Sequence, residues 1–297
     1  MLFLSGNNSF TGGVTISGNV KFDSDQALGL GALGFTAGRL ESTFNWTTNR
    51  AIYPSSNASV STGTFDTVWN GPVLGKGWVA KYGTGRLTIR DARKFFGSVL
   101  LQQGTLEING SVPLGEAGGW GDRILIGGGT TLIGTGTWER KIISSGTLSP
   151  GMGPGRLSAL DVNLDSGSTL ALEIASASSF DQLVVRGLFQ LTGAVNLTID
   201  LSFDPLDNVD SFLVVDNDGT DAITGALPHH FRFAGNELHE GETFFVGSQL
   251  MRLSYVGGDG NDVVISAAPE PHSVILMLTA LPFLITRRRK SQESPTH

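Results

Sequence analysis

The sequence predicts an all-β chain wound as a solenoid, and three observations carry that reading. Glycine fills 41 of 297 positions while charged residues make up only 16%, a balance that suits short strands joined by tight corners where glycine supplies positive φ. Apolar and polar residues alternate with period two in Leu160–Leu164, Leu170–Ile174 and Val195–Leu201, the pattern of half-buried strands. Similar phrases also return at long spacing. Leu2–Phe22 and Leu87–Ile108 both run strand, polar turn, aromatic-glycine, strand, offset by 85 residues, and Gly146–Leu148 repeats the Gly-Thr-Leu phrase within Gly134–Ile174. A coil that cannot bury its own apolar face is stabilised by stacking on the next, which favours a solenoid over an antiparallel sandwich. For the last third, where the repeats fade, a sandwich remains open.

The boundaries follow from these segments. Residues 1–266 are read as the β-solenoid region, with repeat-like units at about 2–115 and 134–174 and divergent coils to 266; residues 267–297 form a separate tail. The first ten residues, "MLFLSGNNSF", lack a positive n-region and a long apolar run, and read as the middle of a strand-turn-strand unit. An upstream segment bearing a secretory signal is therefore expected.

Charge and cysteine content narrow the function. The net charge is −7, and Arg287, Arg288, Arg289 and Lys290 against Glu293 give residues 272–297 a charge of +3, leaving −10 on 1–271. Such a body repels phosphate backbones, so no nucleic-acid partner is expected. With no cysteine in the chain, disulfides and thiolate metal sites are excluded, which suits an exported protein that does not depend on oxidative folding.

Within Phe65–Ile89, "FDTVWNGPVLGKGWVAKYGTGRLTI", followed by "QGTLEING", the chain resembles the autotransporter-associated β-strand repeat. Gly75, Gly77, Lys81, Gly83, Gly85, Leu87 and Ile89 match that family's G-x-G-x-L-x-K-x-G-x-G-x-L-x-L phrase. The resemblance covers most of 2–266 and implies a right-handed parallel β-helix of passenger type, although no β-barrel translocator follows in this sequence.

Several polar constellations invite a chemical reading. "GGDGNDVVI", Gly257–Ile265, matches a calcium-binding nonapeptide carrying Asp259 and Asp262, but a lone copy lacks the neighbouring turn that completes the cage. "DNDGTD", Asp216–Asp221, resembles an EF-hand start at Asp216 and Asp218, yet glycine comes at the fourth position and Leu227 stands where a bidentate Glu belongs. A closing strand and Asx turns explain both stretches, so these four aspartates are weak calcium candidates and no metal or cofactor is expected. His229, His230 and His239 are ordinary surface or turn residues on this reading, with His229 and His239 able to meet only across a hairpin. Asp161 with Asp165, and Asp200 with Asp204, are the carboxylate pairs an enzyme would use; the polar face of an acidic solenoid yields such pairs by default. Trp46, Trp69, Trp78, Trp120 and Trp138 are core or corner fillers rather than sugar platforms. A chain without catalysis is therefore expected, with a β-helical polysaccharide-active enzyme and a calcium-dependent binding module as alternatives.

The tail is read from its order. Pro269-Glu270-Pro271 precedes the apolar run "HSVILMLTALPFLIT", 272–286, and then Arg287, Arg288, Arg289 and Lys290. As a helix those residues rise about 22 Å against roughly 30 Å of hydrocarbon, a short transmembrane helix that snorkelling arginines can extend. The bases would keep the C-terminus cytoplasmic and the β-body outside. The order closely resembles the PEP-CTERM sorting signal. That resemblance implies export, a transient inner-membrane anchor, recognition by an exosortase at Pro269–Pro271 as a processing substrate, and release to the cell surface or matrix, with exopolysaccharide as a further partner.

Overall fold

The computed structural model describes residues 1–114, 123–218, 221–224 and 230–269. The chain is all-β: among the described residues the one helical element is the 3-10 turn Asp25–Leu28, where the Ser24 hydroxyl accepts the Ala27 N–H as a cap. The helix expected over 272–286 lies outside the described residues, and among those described no helix is long and apolar enough to cross a membrane.

Parallel pairing dominates, and the registers resolve into three stacks of strands. In one, Ala58, Val79, Val99 and Ile124 follow one another across neighbouring coils. A second runs from Trp46 through Thr67 to Leu87. The third includes Leu33 beside Ile52 and, further on, Gly136–Trp138 beside Leu157–Ala159. Long strands such as Leu33–Ser42, Ile52–Ser61 and Arg156–Asp165 turn a corner at a register shift or strand change and so serve two stacks. Pairing partners lie about 20 residues apart in the early coils, which is the winding period. The 85-residue spacing in the sequence therefore spans about four coils. It also joins different stacks: Leu2–Leu4 pairs with Asn19–Phe22 in one, whereas Arg86–Phe95 pairs with Thr105–Asn109 in another.

The core is built as ladders. Leu87, Leu106, Leu132, Leu148, Leu170 and Leu197 stand in register on successive coils, all buried. With strands about 4.8 Å apart, each leucine packs on the one above and below, and full burial of each contributes about 2 kcal/mol. Trp46, Trp69 and Trp138 are fully buried fillers, Trp78 is half-buried, and Trp120 lies outside the described residues.

The repeat phrase has a direct physical role at the corners. A Cβ on Gly85 would lie 1.8 Å from the carbonyl oxygen of Phe65 in the coil beneath, so only glycine lets the two backbones approach. Gly83 holds φ +81. Lys81 occupies a rung between Val60 and Leu101 in an otherwise aliphatic ladder and is wholly buried. Its Nζ donates to the carbonyls of Tyr82 (3.0 Å), Gly83 (2.7 Å) and Gln103 (3.0 Å), which ties the corner of one coil to that of the next.

Winding changes character past residue 201. Coils expected to continue to 266 give way to hairpins. Ser211–Asn217 still pairs parallel with Gln182–Val185 but antiparallel with Asp262–Ala267 on its other edge. Gln249–Gly257 and Thr243–Val246 extend that sheet antiparallel, and Phe231–Phe233 folds back on Asn236–Leu238. Short loops such as Phe233–Asn236 favour the hairpin, because a parallel return needs a crossover of a dozen or more residues.

Candidate functional site

The strongest concentration of chemistry outside the core lies on the stack that carries the leucine ladder. Strands Thr169–Ser176 and Val195–Leu201 pair in register, which sets Glu173 directly beside Asp200 while Leu172 and Leu197 point inward. The alternation of each strand dictates this: leucines at even positions in Thr169–Ser176 and at odd positions in Val195–Leu201 put Glu173 and Asp200 on the outer face. After a tight turn the chain returns through Ser179–Phe180, antiparallel to Thr169–Ser176, and brings Asp181 beside Glu173. Ser149 and Thr198 complete an open groove of about 310 Å³.

Asp181 is 2% exposed, and both carboxylate oxygens are occupied. Oδ1 accepts the N–H of Gly155 at 2.8 Å and Oδ2 that of Glu173 at 2.9 Å. Burial pushes its carboxyl up to about 6; the two backbone N–H groups pull the other way and the Glu173 charge adds to the rise. Asp181 thus positions the strand bearing Glu173, while Glu173 and Asp200 face the groove. Two outward carboxylates on neighbouring coils can serve as an acid–base pair or bind a cationic or polyhydroxylated solute. The sequence pairing of Asp200 with Asp204 is replaced by that of Asp200 with Glu173, since Asp204 falls beyond the end of its strand. Asp161 and Asp165 serve as braces, accepting from the Leu188 N–H (3.0 Å) and the Ser145 hydroxyl (3.1 Å).

The two calcium-like loops, read separately in the sequence, converge in the fold. Asp262 accepts the N–H of Asn217 at 2.8 Å through Oδ1 and that of Asp259 at 3.3 Å through Oδ2. Asn217 and Asn261 both donate to the carbonyl of Asp221, at 2.6 and 2.8 Å. Burial raises the Asp216 carboxyl, and the charges of Asp262, Asp218 and Asp259 add to this against Arg156, whose Nη2 lies 3.5 Å away. Asp262 is thus committed to holding the turn: a Cβ at Gly258 would overlap its Oδ2. Among the described residues no group of three or more His, Cys, Asp or Glu is arranged to hold a metal ion.

His229 lies outside the described residues; His230 meets His239, ring centroids 4.6 Å apart and edge to face. Tyr255 closes that cluster, its hydroxyl accepting from the Phe231 N–H (2.7 Å) and donating to the Leu238 carbonyl (2.8 Å); burial holds its ionisation well above the usual phenol range. The neighbouring Ser254 hydroxyl donates to Glu240 at 2.8 Å. Of the tripeptide Pro269-Glu270-Pro271, expected from the sequence to be a sorting signal, only Pro269 is described. Glu270, Pro271 and the bases Arg287, Arg288, Arg289 and Lys290 lie outside the described residues.

No protein-family model matches the chain. It is similar to two proteins of Serratia marcescens, each named an extracellular serine protease. One is 30% identical over 164 residues and the other 28% over 165; each match takes in 53% of this chain. The chain spans only 15% of the length of either relative. The similarity is thus to proteins named for an extracellular location. It also corrects the expectation that the chain has no part in catalysis, since both relatives are enzymes by name. The physical reason is that solvation and acid–base chemistry place the same residue types on a strand's outer face, and period two cannot separate them.

Proposed function

We propose that this chain forms the right-handed parallel β-helical body of an exported extracellular protein of enzymatic kinship, held at the cell surface or in the extracellular matrix. The observation that carries the reading is the set of in-register ladders, in a chain similar over half its length to proteins named for an extracellular location. Right-handed winding follows from the near-universal hand of crossovers between parallel strands. The tail supplies the address: Pro269-Glu270-Pro271 is the site an exosortase processes, 272–286 the transient inner-membrane anchor, and Arg287–Lys290 the cytoplasmic stop. Exopolysaccharide is the matrix partner in this reading. Cell fractionation with intact mass of the mature chain tests this, with a surface or membrane product truncated near Pro271 expected. A full-length cytosolic product would sink it.

The carboxylate groove favours a hydrolytic role for this body, with polysaccharide as substrate and Glu173 and Asp200 as the working pair. E173Q and D200N are each expected to lower polysaccharide hydrolysis by about 100-fold or more while leaving the melting temperature unchanged. Retained hydrolysis in both variants would remove the groove from the reaction. A casein assay run beside it addresses the activity for which the relatives are named.

A further inference from the structure

The chain leaves its folded body through Asp262–Ala267, and two other elements grip the end of that strand. From one side the turn 206–210 donates the Asn208 N–H to the Ala267 carbonyl (3.0 Å), while the Asp210 carbonyl accepts the Ala267 N–H (3.0 Å). From the other side the Leu250 carbonyl accepts the N–H of Ala268 at 2.9 Å. Ala267 and Ala268 are buried between them.

Both elements hold large apolar side chains out to solvent. Leu206 is 64% exposed and Val209 70%; Phe245, paired with Leu250 across its hairpin, is 56% exposed. The turn is fixed in this pose. The Leu206 N–H reaches Asp210 Oδ2 at 2.7 Å, the Val209 N–H reaches the Leu206 carbonyl at 3.1 Å, Asn208 holds φ 58, and Pro205 is buried beneath. Scattered exposed apolar residues are ordinary. These three instead flank the point from which the chain runs on to its long apolar segment, 272–286.

We infer that Leu206, Val209 and Phe245 form a rim that rests on a zwitterionic lipid bilayer around the departing chain. This rests on the anchor reading proposed above. From Ala268 to His272 is four residues, a reach of about 14 Å at full extension. That tether is too short for a body of this size to stand clear of the surface its apolar segment enters. The three side chains then sit at the boundary between headgroups and acyl chains, each contributing its apolar burial. A neutral headgroup surface matches the charge, because Asp204, Asp207 and Asp210 on the same loop repel anionic lipid.

Full-length F245W, with V209W as a second reporter, tests the rim in phosphatidylcholine vesicles whose acyl chains carry bromine. Y53W, on an exposed site several coils away, is the control. Emission added by F245W and V209W is expected to fall about twofold relative to the parent while that added by Y53W is unchanged. Exchanging part of the lipid for phosphatidylglycerol is expected to weaken the quenching. Vesicle-bound protein in which neither rim reporter is quenched overturns the rim and leaves the anchor standing. Failure of the full chain to float with vesicles overturns both.

Discussion

The wound coils and the closing hairpins solve the same burial problem in opposite ways. In the coils each strand is satisfied by partners about 16 to 27 residues away on either side, so one inward residue per rung suffices and leucine stacks on leucine from Leu87 to Leu197. Past residue 201 the next parallel rung is far off in sequence: Val195 finds Phe231, and Leu183 finds Val215. Local hairpins then cover the end of the stack, as a solenoid needs a distinct terminal unit. Repetition makes the coils tolerant in composition and intolerant in backbone spacing. The closing region is the reverse, held by particular polar contacts such as Asp262 and Tyr255.

The largest expected effect tests backbone spacing. Gly85→Ala places a Cβ against the Phe65 carbonyl, and is expected to cost about 3 kcal/mol or to prevent folding. Gly18→Ala, with nothing within 4 Å of its Cβ, should change the denaturation midpoint little. Equal effects from the two would show that corner approach is not the constraint.

Lys81 gives the next effect and sharpens the comparison from within the coils. Lys81→Met keeps the rung filled but strands three carbonyls, a loss of about 2 kcal/mol. Burial pushes the Lys81 ammonium down to about 8, opposed in part by the Asp66 charge. Between about 8 and the unfolded value of 10.5 the folded chain therefore binds fewer protons than the unfolded one. Stability is lowest below 8 and rises with pH through that window. Chemical denaturation of the parent from pH 7 to 10.5 should show the rise, and Lys81→Met should lack it.

The smallest effect belongs to the closing region and is local. Asp262→Ala frees the N–H groups of Asn217 and Asp259, and the Asn217 amide is expected to lose about tenfold in hydrogen-exchange protection. Amides of the leucine ladder, Leu106 for example, should be unmoved. Loss of protection throughout would mean that coils and closure unfold as one unit.

Much of the coil region was legible because its constraints are periodic and local. Alternation in Leu170–Ile174 and Val195–Leu201 fixed which side chains point inward, and the phrase around Gly83 and Gly85 marked a corner. The 85-residue spacing misstated the repeat, because one coil is too short and too variable at its corners to be matched by eye. The candidate site was only half legible. Asp200 was named, but its partners Glu173 and Asp181 come from the register of a neighbouring coil and a hairpin return.

By itself the sequence determined an all-β chain, the inward face of each strand, the corners that must be glycine, and the order of the tail, since these depend on period, backbone sterics and composition. Tertiary structure decided which coil lies beside which, that Glu173 faces Asp200, that Asp216 and Asp262 share one locality, and that winding ends in hairpins. Those follow from the length of each loop and the register it imposes, and a one-residue change in register would turn every one of these side chains to the other face.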